Sequence, residues 1–139
     1  MAPITAYSAS VLRALENELI VRGFIDVWND RNARGLTPFL HHQIRFRGMG
    51  DATARGRHSV LRVCSEIFAA FDPIRIEIVE VQAVDRCVFV EELLQLAQRD
   101  TGAQPLALSG FASFTIQADM IVSWRQFHFA RPSGAQEAG

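Results

Sequence analysis

A chain of 139 residues and 15.5 kDa fits one compact domain. With 49% hydrophobic and 21% charged residues it can build a packed core, which excludes a disordered chain. Fourteen basic against fifteen acidic residues leave a formal net charge of −1, which argues against a nucleic-acid partner held by a broad cationic face. Every basic residue is Arg, so a lysine Schiff base and a lysine-dependent phosphate loop are excluded. Cys64 and Cys87 each sit in an apolar run and read as small buried hydrophobes, too few for a disulfide framework or a Cys-only zinc site. The opening MAPITAYSAS lacks a secretory layout, and no apolar run has the length of a membrane span. The expectation is therefore a cytoplasmic protein with no membrane partner.

In chain order, residues 1–8 and 132–139 read as loose tails around a single domain, 9–131. Ser10 is placed to cap a helix running through VLRALENELIVRGFIDVWND, with Leu12, Leu15, Leu19, Phe24, Val27 and Trp28 near its buried face. A short helical turn is expected over Leu36–Leu40, then a strand over Gln43–Gly48 with Ile44 and Phe46 inward. MGDATARG reads as a loop, followed by a helix from Arg57 to Phe71 that Asp72-Pro73 ends. The rest alternates with period two. Ile74–Val84 shifts phase after Ile78, as a β-bulge or bend would cause. Turns at Asp85-Arg86, RDTGAQ and QAD separate the strands CVFVEELLQLAQ, PLALSGFASFTI and MIVSWRQFHFA. Helices first and a meander of four antiparallel strands after them predict an α+β fold, with the helices on one face of a curved sheet.

Alternation also sorts the polar residues. Glu92 shares a strand face with Val88, Val90, Leu94 and Leu96, whereas Glu91 points the other way. A carboxylate enclosed by apolar groups holds its proton more tightly, which suits proton transfer near neutral pH. On the last strand Trp124, Gln126 and His128 share a face; Gln126 could orient a substrate, and His128 could exchange a proton. Leu108, Gly110, Ala112 and Phe114 form an apolar wall. His41-His42 has no Asp, Glu or Cys at ligand spacing, so no metal site is expected. Arg45, Arg47, Phe111, Phe127 and Phe129 fall on the opposite, outer face, and exposed aromatics there point to a homodimer. No nucleophile elbow, C-x-x-C, phosphate loop or dinucleotide fingerprint is present.

The helix-rich first third, the RGR of Arg55–Arg57 opening a helix, and the closing SGFASFTIQADMIVSWRQFHF resemble the nuclear transport factor 2-like superfamily, in its SnoaL-like and limonene-epoxide-hydrolase-like branch. The resemblance covers about Ser10–Arg131. It implies a cone in which a bent sheet wraps the N-terminal helices around a deep apolar pocket. In the epoxide hydrolase pattern the catalytic Arg and Asp fall on Glu92 and Leu94, the second Asp on Gln126, and the Tyr and Asn that hold water on Phe46 and Gly48. All of these are changed, which removes that water-activating set. The last-strand acid of SnoaL-type cyclases also falls on Gln126, and the first-strand acid of steroid-isomerase-like members has no counterpart in Gln43–Gly48. What remains is Glu92, Gln126 and His128 as the catalytic candidates, with Phe46, Leu94, Leu108, Phe114 and Trp124 around a small hydrophobic molecule. The expected activity is an acid/base isomerisation, cyclisation, dehydration or hydration without a cofactor. A ligand-binding or interaction module on the same fold is the alternative.

Overall fold

The computed structural model describes residues 4–130. Helix α1 (Ile4–Asn29) leads through a 3-10 turn (Arg34–Phe39) into β1 (Leu40–Arg47). A second 3-10 turn (Met49–Asp51) and a short strand β2 (Thr53–Arg55) precede α2 (Arg57–Ala70). Strands β3 (Phe71–Val84), β4 (Cys87–Gln98), β5 (Leu106–Gln117) and β6 (Met120–Ala130) follow. The six strands make one mixed sheet in the order β2-β1-β6-β5-β4-β3. The last four form the expected antiparallel meander, and β1 joins β6 in parallel. This is the α+β fold that the order of helices and strands predicts, in the cone form that the family resemblance implies.

The turns carry the meander. Asp85, Ala118 and Asp119 adopt left-handed backbone, with φ of 53°, 52° and 62°, which lets two-residue connections follow the strand twist. In β3 the pairing slips between Ile78 and Glu80, leaving Val79 as the extra residue, where the sequence changes phase. The resulting bend wraps the sheet toward α1. Asn29 at the end of α1 clamps β3 by pairing its side-chain amide with the backbone of Ile76 in both directions, at 2.9 and 2.8 Å. Asn17 donates to the carbonyl of Asp85 at 3.1 Å, so α1 is tied to both ends of the edge strand. At the C-terminus of α2, Arg31 and Arg99 donate to the carbonyls of Phe68, Ala69 and Phe71, satisfying groups that helix geometry leaves unpaired.

Three expectations are corrected. Helix α1 begins at Ile4, so Ser10 lies inside it rather than capping it, and 4–8 belong to the helix; residues 1–3 and 131–139 lie outside the described residues. The supposed loop over 49–56 contains β2, paired with β1 through Arg45 and Arg55. Finally, Leu12, Leu15 and Leu19 are exposed, at 57%, 51% and 67%, whereas the buried stripe is Asn17, Val21, Phe24, Ile25 and Trp28. The two stripes lie about half a turn apart around the helix. Apolar spacing alone does not choose between them, and the sheet packs on the stripe bearing Phe24 and Trp28.

Candidate functional site

Cross-strand pairing brings the polar candidates together. Ile78, Glu92, Gly110 and His128 are partners in turn across β3, β4, β5 and β6. Glu92 and His128 therefore flank Gly110 from strands about 10 Å apart, two strand spacings. Their side chains bridge that gap over the glycine, and Glu92 Oε2 lies 3.5 Å from His128 Nε2. A Cβ on Gly110 would stand 2.5 Å from His128 Cδ2 and collide with the Phe127 carbonyl. Gly110 is thus what lets the imidazole lie across β5.

Both side chains of the pair are 2% exposed. The 3.5 Å approach is an ion-pair contact without hydrogen-bond geometry. Neither Glu92 Oε2 nor either ring nitrogen of His128 finds a hydrogen-bond partner among the described residues. Asn17, another buried polar residue, is by contrast satisfied by Asp85. Three buried polar atoms without a hydrogen-bond partner among the described residues form an arrangement that folding alone disfavours. Gln126 stands one step along β6, 7% exposed and opposite Ala112.

The apolar candidates divide. Phe46, Phe114 and Trp124 fall in one cross-strand row with Val88, but they meet one another as packed core. The Phe46 and Trp124 rings are 4.5 Å apart, and Phe24 from α1 stands edge-on to Trp124 at 4.9 Å and to Phe114 at 5.9 Å. Leu94 is 1% exposed in the same core. Phe24 fills the middle of the cone, a role its place among the helix apolar residues did not single out. Leu108 alone of the expected lining residues reaches a cavity beside the polar group. That cavity, about 380 Å³, opens where β6 runs on past β1 and is bounded by Gly48, Gly50, Asp51, Leu108 and the β6 residues Gln126 to Phe129. Gly50 and Asp51 belong to a segment the sequence marks only as a loop, and Gly48 to the end of the predicted first strand. The Phe46 ring packs so close to Gly48 that a Cβ there would strike it.

His41 and His42 stack at 4.3 Å, and the His41 ring accepts from the Gln43 N–H at 3.0 Å. Among the described residues no three His, Cys, Asp or Glu side chains are grouped to hold a metal, and no helix is long and apolar enough to cross a membrane. The arrangement offers one carboxyl, one imidazole and one amide at the inner end of a small cleft, the parts of a proton relay.

Solved structures share this architecture. An LEH-like epoxide hydrolase of M. tuberculosis superposes with a TM-score of 0.73 at 15% identity, over 84% of each chain. SalBIII, an epoxide hydrolase/cyclase-like enzyme of pyran ring formation in polyether salinomycin, matches with a TM-score of 0.74 at 16% identity, over 83% of this chain and 92% of that one. An NTF2-like protein of Burkholderia thailandensis E264 gives 0.72 at 15% identity, over 81% and 90%. At such identities the likeness is one of fold. No curated protein matches the chain in sequence. The SnoaL-like domain family model matches residues 21–124, from the buried half of α1 to the core tryptophan of β6. The chain belongs to the SnoaL-like domain family.

Proposed function

We propose that the chain is a cofactor-independent acid/base enzyme acting on a small hydrophobic molecule, by isomerisation, cyclisation, dehydration or hydration. The observation that carries this reading is the Glu92–His128 pair, two protonic groups 3.5 Å apart, with side chains 2% exposed and with Glu92 Oε2 and both ring nitrogens lacking a hydrogen-bond partner among the described residues. A substrate presented through the cleft beside Leu108 meets Gln126 and His128 first. Gln126 orients it by hydrogen bonding, His128 takes or gives the proton, and Glu92 behind it stabilises the imidazolium that forms. The epoxide hydrolase and cyclase-like chemistry of structural relatives supports this class of reaction. The free thiols Cys64 and Cys87 fit a cytoplasmic setting.

The test is a turnover screen over epoxides, polyketide-like ketones and terpenes, repeated with Glu92→Gln and His128→Asn. Each variant should lower kcat by a factor of about 10² or more, in the range of general acid/base catalysis. Ligand binding that survives Glu92→Gln with no turnover in the native chain favours a binding protein instead.

We further infer a homodimer through the centre of the outer face, where Phe89, Phe111, Phe127 and Phe129 are each about half exposed on neighbouring strands. A two-fold contact there is self-complementary, aromatic on aromatic. Sedimentation should give twice the chain mass at micromolar concentration, and Phe111→Ser/Phe127→Ser should give the monomer.

A further inference from the structure

The outer face of β6, β1 and β2 carries a pattern of its own. Ser123, Arg45 and Arg55 are cross-strand partners in one row, and Arg125, Arg47 and Thr53 in the next. The six positions form a grid of four guanidinium groups with a hydroxyl at each of two opposite corners. About 10 Å separates its outer columns and about 7 Å its rows. A groove of about 560 Å³ runs over it, lined by these six residues together with Phe46 and Ala54. The strands β1, β2 and β6 contain no Asp or Glu. The only carboxylate within ion-pair distance of the four arginines among the described residues is Asp51, 3.5 Å from Arg47 and 89% exposed.

Like charges placed opposite each other across a ladder destabilise it. Arg45–Arg55 and Arg47–Arg125 are both such pairs. In a chain of net charge −1, four neighbouring cations with one exposed carboxylate, Asp51, at their margin form a concentrated positive field. Guanidinium forks bind phosphate oxygens through paired N–H donors, and serine and threonine hydroxyls add further donors. With donors on both rows, the grid suits a group with two linked phosphates better than a single monoanion.

We propose that this grid is a binding site for the diphosphate group of a small soluble molecule, distinct from the cleft beside His128, with which it shares no lining residue. An aromatic flank adjoins it: the Arg125 guanidinium lies 5.3 Å from the Phe127 ring, which gives a ligand's organic part a surface to rest on. The grid sits at the β2 edge of the sheet, at the rim of a dimer centred on Phe111 and Phe127.

The test is calorimetric titration of the full chain with inorganic pyrophosphate at fixed ionic strength, with orthophosphate and chloride as comparisons. Saturable binding is expected at one site per chain, at least about tenfold tighter than orthophosphate. Arg45→Gln/Arg125→Gln should weaken it by a factor of about 10². Arg45→Lys/Arg125→Lys, which keeps the charge but loses the fork, should weaken it about tenfold. Arg13→Gln, on the far side of the chain in α1, should leave it unchanged. ADP and farnesyl diphosphate run alongside identify whether a nucleoside or a lipid carries the group, by which of them binds more tightly. Binding no better than chloride overturns the proposal, and so does equal affinity of the lysine variant, which would mean a diffuse charge effect. Dissociation of a dimer by Arg45→Glu/Arg125→Glu together with pyrophosphate indifference overturns it too, since carboxylates of a second copy would then be the arginines' partners.

Discussion

The two faces of β5 show how differently one strand can be used. Phe114 and Phe111 stand three residues apart on it, one 2% and the other 54% exposed. The inner face presses Phe114 and Trp124 against Phe24 and encloses an unpartnered Glu92–His128 pair. The outer face leaves aromatics and arginines open to solvent. Apolar burial therefore stabilises one side, while the other contributes little to the stability of the single chain and is available for contacts. The inner pair makes the lesson sharper. A core this well packed gains little stability from an ionisable couple, and the proposed proton transfer is the reading that gives the pair a role.

Mutations that cross this division should have graded effects. Phe114→Ala is expected to cost about 4 kcal/mol in urea unfolding, the usual penalty for emptying an aromatic core position. A loss under 1 kcal/mol would mean that the inner face is loosely packed. Next, His128→Leu should cost about 3 kcal/mol by stranding Glu92, and Glu92→Leu/His128→Leu should recover most of that loss while abolishing turnover. Additive losses in that cycle would show two independent residues. Gly110→Ala should cost about 2 kcal/mol, because its methyl meets His128 and the Phe127 carbonyl. A structure of that variant with the imidazole unmoved would refute the role assigned to the glycine.

The thiols give a smaller, pH-dependent contrast. Burial pushes the Cys64 thiol from its ordinary 9.0 up to about 12. Between those values the unfolded chain loses this proton and the folded chain keeps it, so the contribution to stability is complete below about pH 9 and declines as the pH rises toward 12. At pH 8 a thiol reagent should spare Cys64 in the folded chain and modify it fully in denaturant. Last and smallest, Phe111→Ser should change monomer stability by less than about 0.5 kcal/mol while shifting the sedimentation profile.

Much of this was legible in the chain. Strict alternation in β4, β5 and β6 placed Glu92, Gln126 and His128 on one face, because a strand offers only two faces and apolar neighbours identify the inner one. The phase change after Ile78 likewise announced the bulge. Helix α1 was read less well. Its two apolar stripes are equivalent until a sheet packs on one of them, and the chosen stripe contains Asn17, a polar residue whose partner Asp85 lies 68 positions away. The cleft escaped for a related reason. Gly50 and Asp51 carry no periodic signal, Gly48 reads only as the end of the first strand, and their position beside His128 depends on β1 lying parallel to β6, a pairing across some eighty residues that no local pattern encodes.

That pairing of β1 with β6 also constrains how the protein can be made. The first sheet strand to leave the ribosome waits for the last, and until β6 emerges the β2–β1 ribbon has no neighbour in the sheet. The β3–β4–β5 ribbon can assemble earlier, but its inner face lacks Trp124 and His128. Closure of so non-local a pairing is a late step in folding. A nascent chain cut short before Met120 would display two separate ribbons with apolar faces uncovered, the kind of species that chaperones hold and proteases remove.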